Sequence, residues 1–260
     1  MIDLHSHVLP ALDDGARDLT QALYALRLLA ADGITDLVCT PHLRASDVER
    51  GGEEAISRRD AVLAELRPMA PPLPVLHAGF EILLDQPPIP EMVGDRRYAL
   101  AGSRYYLVEF RLSVVAQLAT RILEDMAQAG VIPLVAHVER YGACSPRVVA
   151  DWKSTGARIQ VDATTLTRPS GRGRLARTLL EAGLVDVLAA DNHGDERTLR
   201  RAVEFVRAKV ADGPGPVEGP LGQLTQGNPA CVLADGIMTD VAGVRLDEGL
   251  MGRVRRMLGR

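Results

Sequence analysis

The sequence predicts a parallel α/β fold, either a barrel or a doubly wound sheet. Short apolar runs alternate with longer amphipathic runs, as is typical of consecutive strand and helix units. The 260 residues suit a single barrel of roughly 250 residues. Residue types that bind metal follow several apolar runs, where barrel enzymes carry their sites. We therefore expect residues 1–260 to form one domain.

The first half of the chain begins with a short apolar run that predicts a strand. Residues 18–30 then carry apolar side chains at helical spacing, and Gly33 is a stop signal for that helix. Residues 35–42 predict a buried strand interrupted by a proline near its end. The charged amphipathic residues 53–67 predict a second helix, which the proline-rich residues 68–74 end.

The next two predicted strands each contain an acidic residue. Glu81 lies inside the apolar run 74–84, and Glu109 lies near the end of the run 105–110. The proline-containing residues 86–92 between them predict a loop. Because a buried carboxylate is costly unless it is paired or bound to metal, both acids are candidate ligands.

The second half of the chain continues the same alternation. It predicts helices at residues 114–129, 146–155, 175–182 and 196–211, and strands at residues 131–141, 158–163 and 185–193. Residues 164–174 predict a polar loop that contains three arginines. Residues 213–219 are rich in glycine and proline, residues 228–233 form a short closing segment, and residues 250–260 are basic and amphipathic.

Composition excludes several classes of protein. The net charge of −4 argues against a nucleic-acid partner. Cys39, Cys144 and Cys231 are too few and too scattered for a disulfide framework or a cysteine-rich zinc site. No stretch reaches ~18 uninterrupted apolar residues, so we expect no membrane insertion and a cytoplasmic location. The oligomeric state is left open.

A His-x-His pair lies just past the opening apolar run. His5 and His7 are two residues apart on a predicted strand, so both side chains project from one face and can bind one ion. Such a pair alone is weak evidence for a metal site. It gains weight because further candidate ligands follow the other strands. The complete set is His5, His7, Asp13 or Asp14, His42, Glu81, Glu109, His137, Asp191 and His193.

Imidazole and carboxylate ligands without thiolate suit zinc, manganese or iron. The candidates are too many for one ion, so we expect two or three ions bridged by carboxylates. Clustered ions of this kind polarise phosphoryl oxygens and activate water at neutral pH. Arg140 adjoins His137 and is able to bind a phosphate with two donors, or to form a rim ion pair with Glu139. His77 and the loop arginines 168, 172 and 174 are expected to be structural or solvated.

Six short motifs carry a resemblance to a known family. They are residues 4–7 (Leu-His-Ser-His) with 12–15 (Leu-Asp-Asp-Gly), 39–42 (Cys-Thr-Pro-His), 79–81 (Gly-Phe-Glu), 108–110 (Val-Glu-Phe), 136–141 (Ala-His-Val-Glu-Arg-Tyr) and 191–193 (Asp-Asn-His). In order and spacing they resemble the polymerase and histidinol phosphatase (PHP) superfamily. The nearest resemblance is to its bacterial protein-tyrosine phosphatases, which regulate capsule and exopolysaccharide synthesis.

The resemblance implies a distorted (β/α)7 PHP-type barrel with a metal site at the C-terminal rim of the strands. It implies two to three divalent metal ions, with manganese favoured and zinc or iron as alternatives. The implied substrate is the phosphotyrosine tail of a bacterial tyrosine kinase. Val138 stands where proline is usual in the family and Ala190 where serine is common, which puts substrate preference in doubt more than metal binding.

Carried over position by position, the resemblance implies three groups of ligands and one phosphate-binding arginine. The groups are His5, His7, Glu81 and Asp191; Glu81, Glu109 and His137; and His42, His193 and an aspartate for which Asp14 is chosen over Asp13. Arg140 matches the arginine that family members place on the substrate phosphate.

The leading hypothesis is therefore a metal-dependent protein-tyrosine phosphatase. A small-molecule phosphatase, such as one for histidinol phosphate, is the alternative enzyme. A catalytically silent metal-binding regulator is the alternative from another class, supported only by the basic residues 250–260.

Overall fold

The computed structural model describes residues 1–210 and 218–246. The basic segment 250–260 and most of residues 213–219 lie outside the described residues, so the predictions made for them are not assessed. Within the described ranges, no helix combines the length and the apolar composition needed to cross a bilayer.

The strands form a ring of parallel neighbours. They are β1 Ile2–Ser6, β2 Asp36–Cys39, β3 His42–Arg44, β4 Val75–Ala78, β5 Glu81–Leu83, β6 Tyr105–Glu109, β7 Ile132–Val135, β8 Arg158–Asp162 and β9 Val187–Ala189. One sheet has the order β1-β2-β4 and the other the order β3-β5-β6-β7-β8-β9.

Two predicted strands are each broken in the middle. Thr40 and Pro41 separate β2 from β3, and the predicted strand 74–84 divides into β4 and β5 around Gly79. The first halves pair with each other, β2 with β4, and so do the second halves, β3 with β5. If each broken strand is counted as one strand path, the nine segments follow seven paths. An isolated parallel bridge between Ser6 and Asn192 joins the first path to the last. The predicted distorted seven-stranded barrel is confirmed.

Helices follow most strands and pack around the ring. They are α1 Leu19–Ala31, α2 Ala45–Leu66, α3 Pro90–Gly94, α4 Ala116–Gln128, α5 Pro146–Ser154, α6 Ala163–Thr167, α7 Gly171–Glu181, α8 Leu199–Lys209, α9 Glu218–Gly222 and α10 Asn228–Leu233. Single 3-10 turns lie at Arg96–Tyr98, Leu100–Gly102 and Val138–Arg140, and a π-helical turn at Gln223–Gly227.

Side-chain caps explain where several helices begin. Asp18 accepts a hydrogen bond from the Gln21 backbone at the start of α1, and Ser145 caps α5, where Pro146 occupies the first turn. The large apolar cluster lies between these helices and the sheet, and it contains the fully buried Trp152.

Several boundaries differ from the predictions. Helix α2 begins at Ala45 instead of residue 53, because Gly51 and Gly52 weaken the helical signal of its first turns. Gly52 faces Tyr98 so closely that a Cβ there would lie 2.1 Å from the Tyr98 hydroxyl oxygen. The strand predicted for residues 131–141 ends at Val135, and the chain then turns.

The predicted loop 164–174 is also wrong. The carboxylate of Asp162 accepts hydrogen bonds from Thr164 and Thr165 and so starts helix α6. Ser170 caps α7 in the same way. Capping side chains therefore hold two helix starts in a segment whose composition is typical of a loop. Arg168, which lies between the two helices, is exposed.

Asp186 provides a test of how buried charge supports the barrel. This fully buried carboxylate accepts hydrogen bonds from Lys153 Nζ at 2.6 Å and the Ile159 backbone at 2.9 Å. We expect Asp186→Ala to lower the free energy of unfolding by about 3 kcal/mol, because it leaves the buried Ile159 amide without its acceptor and the partly buried Lys153 amine with only the exposed Asp240. The measurement is the urea unfolding midpoint.

The matched control is Asp240→Ala. Asp240 is 80% exposed and lies 3.4 Å from the same Lys153 amine and 3.2 Å from Arg158. Because exposed ion pairs contribute little, we expect a loss below about 1 kcal/mol. Equal losses in the two variants would contradict the importance of burial here.

Candidate metal centre

The ring of strands brings all nine predicted ligands to one end of the barrel. His42 opens β3 and Glu81 opens β5, and these two residues are paired in register. Glu109 ends β6. The remaining candidates lie on β1 or in the loops that follow β1, β7 and β9, and they are His5, His7, Asp14, His137, Asp191 and His193. His77 lies apart, with its Nε2 atom 3.0 Å from Asp36 Oδ1.

The first group of donor atoms surrounds the imidazoles of the His-x-His pair. His5 Nε2 lies 3.1 Å from His7 Nε2 and 3.2 Å from Glu81 Oε2. Asp191 Oδ1 lies 3.3 Å from His5 Nε2 and 3.4 Å from His7 Nε2. Two ligands that share one ion at ~2.1 Å lie roughly 3.0 to 3.4 Å apart, so these separations suit a shared cation.

The second group involves both strand-borne glutamates. His42 Nδ1 lies 3.0 Å from Glu81 Oε2 and 3.5 Å from Glu109 Oε1. His137 Nε2 lies 2.8 Å from Glu81 Oε1 and 3.8 Å from Glu109 Oε2. The resemblance implied His137 for this group; His42 also belongs to it by distance.

The third group contains the aspartate that the sequence left unresolved. One donor atom from each of His7, Asp14, His42 and His193 lies within 4.8 Å of the others. Asp14 Oδ1 is 3.4 Å from His42 Nε2 and 3.5 Å from His193 Nε2. Asp13 instead faces the other side of the His7 ring.

The chemistry of these donors fits divalent cations. Glu81 Oε2 is buried and makes no hydrogen bond of acceptable geometry among the described residues. His5 and His7 point their Nε2 atoms at each other in a site with almost no access to solvent. Bound cations would satisfy these atoms, because neutral imidazole nitrogens and carboxylate oxygens are their usual ligands.

Three contacts that the sequence analysis did not predict orient the imidazoles. Asp13 Oδ2 lies 2.7 Å from His7 Nδ1, and Gln160 Oε1 lies 3.2 Å from His5 Nδ1. The backbone oxygen of Asp191 lies 2.9 Å from His193 Nδ1. Each contact leaves the Nε2 atom of the ring free for the centre, as the hydrogen-bond partners of metal-binding histidines do. Gln160 was detectable as a polar residue inside an apolar run.

Burial and clustered charge shift the pKa values of these groups. Burial alone lowers the pKa of His5, but the charges of Glu81 and Asp191 outweigh it and raise that pKa to about 9. The pKa of His7 is also raised, against its burial, by Asp13 and Asp191. Burial and the Glu81 charge raise the pKa of Glu109 to about 7. Without cations, protons on imidazoles therefore balance the carboxylates.

Arg140 lies at the edge of this cluster and is not paired with Glu139. Its Nη2 atom donates to Asp162 at 2.7 Å and also to Asp191. Glu139 is buried, and burial together with the nearby Asp162 charge raises its pKa to about 8. The alternative interpretation of a rim ion pair between Glu139 and Arg140 is wrong, because Arg140 donates to Asp162 and Asp191 instead.

A second arginine, not predicted from the sequence, approaches the same carboxylate. Arg197 Nη1 lies 3.8 Å from Asp191 Oδ2, and its Nε atom bonds Asp195 at 2.8 Å. Arg140 and Arg197 both retain partial exposure, at 25% and 26%. Two partly exposed cationic groups thus lie beside the Asp191 carboxylate.

The barrel and its histidine and carboxylate cluster define a hydrolase of the metal-dependent α/β-barrel class. The chain belongs to the family described as "Capsular polysaccharide synthesis, CpsB/CapC", whose model matches residues 1–218. This membership confirms the resemblance inferred from the six motifs.

Two relatives illustrate the family. The tyrosine-protein phosphatase YwqE of Bacillus subtilis is 29% identical over 197 residues, which cover 74% of this chain and 77% of YwqE. The tyrosine-protein phosphatase CpsB of Streptococcus pneumoniae is 27% identical over 221 residues, covering 80% of this chain and 90% of CpsB.

Solved structures support the fold. One match is a crystal structure from a study of YwqE from Bacillus subtilis and CpsB from Streptococcus pneumoniae, which are described there as unique metal-dependent tyrosine phosphatases. Its TM-score is 0.75 and its sequence identity is 23%. The match covers 94% of this chain and 100% of that one. Dihydropyrimidinase from Brevibacillus agri matches with a TM-score of 0.53 and 12% identity, covering 95% of this chain and 73% of that one.

The raised pKa of His5 predicts how the metal-free protein responds to pH. In the unfolded chain a histidine titrates near ~6.5, whereas the pKa of folded His5 is about 9. Its stabilising contribution is therefore complete below about pH 6.5 and is lost as pH rises to about 9. The raised pKa values of Glu109 and Glu139 act in the same direction.

We expect the metal-free protein, held in chelator, to lose about 2 to 3 kcal/mol of unfolding free energy between pH 6.5 and 9. The measurement is urea unfolding at both pH values. The His5→Gln variant is the control and should show a flatter dependence. Stability that is constant or rises over this range would contradict the pKa assignment.

Proposed function

We propose that the chain is a metal-dependent protein-tyrosine phosphatase that hydrolyses phosphotyrosine with a metal-activated water. The observation that carries this proposal is the convergence of three donor groups on His7, His42 and Glu81, with Arg140 at their edge. Membership in the family and the names of its relatives support the same activity. The proposal treats residues 1–260 as one phosphatase domain.

We assign the candidate ligands to two or three divalent ions. His5, His7, Glu81 and Asp191 form one set, and Glu81, Glu109 and His137 form another. Asp14, His42 and His193 form the third. The contacts of Asp13 with the far side of the His7 ring support Asp14 as the ligand of the pair. We favour manganese, with zinc or iron as alternatives, because the donors include no thiolate.

Divalent ions bound there would polarise the phosphoryl oxygens and make water nucleophilic at neutral pH. The protein's own part is to bind and orient the phosphate. Arg140 is held by Asp162 through one nitrogen, which leaves its other donors available to a phosphate oxygen at the partly exposed edge. Arg197 is a second candidate for this contact.

The leaving group suits a site without a dedicated general acid. A tyrosine phenolate leaves readily because the pKa of its conjugate acid is ~10. Bound cations and the arginines would stabilise the charge that develops on the phosphoryl oxygens, so little general-acid help is required.

For the biological substrate we propose the phosphotyrosine tail of a bacterial tyrosine kinase that controls capsule or exopolysaccharide synthesis. The description of the family supports this assignment. We propose that the protein acts in the cytoplasm, where such a tail would be phosphorylated. The net charge of −4 gives no support to a nucleic-acid partner.

The activity is tested with chelator-treated protein to which manganese, zinc or iron is restored. We expect hydrolysis of p-nitrophenyl phosphate and of a phosphotyrosine peptide only after metal is restored. Arg140→Ala and His5→Ala should each lower kcat/KM by at least ~10²-fold, because each removes charge stabilisation or a candidate ligand. Arg168→Ala, which removes an exposed arginine, is the control and should retain activity.

The outcomes separate the alternative functions. Faster turnover of histidinol phosphate than of the phosphopeptide would favour a small-molecule phosphatase. Bound metal without turnover of any phosphomonoester would favour a catalytically silent regulator. Unchanged turnover in His5→Ala would remove the basis of the ligand assignment.

The two adjacent aspartates give a second test. We expect Asp14→Ala to lose metal stoichiometry, because it removes a proposed ligand. Asp13→Ala should keep the stoichiometry but lower metal affinity about 10- to 100-fold, because it frees the His7 ring. Elemental analysis after dialysis measures the first effect and calorimetric titration the second.

Asp85→Ala is the matched control for both variants. Asp85 also lies near the barrel rim, but its carboxylate bonds Ser46 instead of a candidate ligand. Its removal should leave metal binding unchanged. The reverse pattern, with stoichiometry lost in Asp13→Ala and kept in Asp14→Ala, would exchange the two roles.

A further inference from the structure

Three large apolar side chains are exposed along one short segment that follows β6 and includes the first turn of α4. Leu112 is 54% exposed, Val115 60% and Leu118 48%. Val115 and Leu118 are separated by one turn, and the Leu118 backbone donates to Val115 at 3.0 Å. We call these three residues the apolar strip. Single exposed apolar residues are ordinary, but three together indicate a binding surface.

The apolar strip is attached to two segments of the candidate metal centre. Leu112 follows Glu109 by three residues, a distance of at most about 10 Å along the chain. The Leu112 carbonyl accepts a hydrogen bond from the Gly142 backbone at 3.0 Å, two residues after Arg140. The Tyr141 hydroxyl also accepts from the Phe110 backbone at 3.2 Å. The strip is therefore held beside the proposed phosphate-binding edge.

We infer that the apolar strip binds the polypeptide that flanks the phosphotyrosine of the substrate, through apolar or aromatic side chains near it. This inference rests on the proposed function, which fixes the phosphate at the metal centre. A substrate chain leaving that point crosses the adjoining rim. A small aryl phosphate ends at its ring and does not extend along the strip.

Charge favours such an occupant. Residues 112–120 contain no charged side chain, and arginines at positions 111 and 121 flank them. The surface therefore accepts neutral or acidic peptides without like-charge repulsion, whereas the arginines disfavour a basic one. Apolar contact supplies affinity, and these charges limit the class of sequence that binds.

The experiment combines strip variants with three substrates. The variants are Leu112→Ser alone and Leu112→Ser, Val115→Ser and Leu118→Gln together. The substrates are p-nitrophenyl phosphate, a phosphotyrosine peptide flanked by leucine and tyrosine, and the same peptide flanked by glycine and serine. Leu112 lies outside α4, so its single replacement tests the strip without altering a helix.

For the metal-loaded triple variant we expect KM for the apolar-flanked peptide to rise ~10-fold, because burial of several apolar side chains is lost. Its kcat should be unchanged. KM for p-nitrophenyl phosphate and for the glycine- and serine-flanked peptide should change less than about 2-fold, since neither uses the strip. Leu112→Ser should show a smaller shift in the same direction.

Ile237→Ser is the matched control. Ile237 is 72% exposed, and its neighbour Met238 bonds the hydroxyl of Tyr105, the residue that begins β6. The Ile237→Ser variant therefore removes a comparable exposed apolar side chain near the opposite end of β6. All three substrates should be processed as by the wild-type protein.

The remaining outcomes overturn the inference or the function separately. An unchanged KM for the apolar-flanked peptide overturns the inference while the phosphatase activity stands. Loss of self-association in sedimentation, with peptide KM unchanged, would identify the strip as a contact between copies of the chain and also overturn it. If the metal-loaded wild-type protein hydrolyses none of the substrates, the proposed function itself fails.

Discussion

The candidate centre depends on one buried carboxylate. Glu81 is 1% exposed, and such a group is costly inside a protein unless cations or hydrogen bonds surround it. Four imidazoles approach it within 3.3 Å, and they belong to His5, His7, His42 and His137. These imidazoles come from three places, which are the end of β1, the start of β3 and the loop after β7, so this single interaction ties together the ends of elements that are distant in the sequence.

Irregular backbone lets those side chains converge. The pairing of β1 with β2 shifts between Asp3 and Ser6, where three steps of β1 match two steps of β2. Such a bulge re-aims side chains. The break between β2 and β3 and the break between β4 and β5 put His42 and Glu81 at the start of new segments. His137 and Asp191 have positive φ values of 33° and 49°, an uncommon conformation that is often found at functional sites.

The fold and the membership of the cluster were predictable from the sequence, because both leave local patterns. Apolar runs of strand length alternate with stretches of helical periodicity. Residues of metal-binding types, such as Glu81, lie within these apolar runs or directly after them. The breaks at Pro41 and Gly79 also had visible signals. The predicted helix at residues 53–67 starts too late, because Gly51 and Gly52 weaken the helical pattern of the sequence. In the structure Gly52 allows close packing against Tyr98.

The partners of the site residues were not predictable in this way. Arg140 pairs with Asp162 and Asp191, which are 22 and 51 residues away, and no spacing rule links them. The ion pair with the adjacent Glu139 was the alternative that the local sequence suggested, and Arg140 makes other pairs instead. Likewise, the geometry of the turn after β1 decides which of Asp13 and Asp14 contacts the Nδ1 atom of His7. The residue types alone do not determine that geometry.

The closure of the barrel has a consequence for its native-state dynamics. The backbone of β1 is joined to the segment after β9 by the Ser6 and Asn192 bridge, by the hydrogen bond from the His7 backbone to Asn192 at 2.6 Å, and by the bonds from the Ala190 backbone to the Asp3 carboxylate. A side chain thus substitutes for part of a backbone ladder. Because local unfolding begins where backbone hydrogen bonding is sparse, amide exchange should report this seam as the weakest point of the ring. His5 and Asp191 lie on opposite sides of this seam. Binding of a cation between them would therefore also hold the barrel closed.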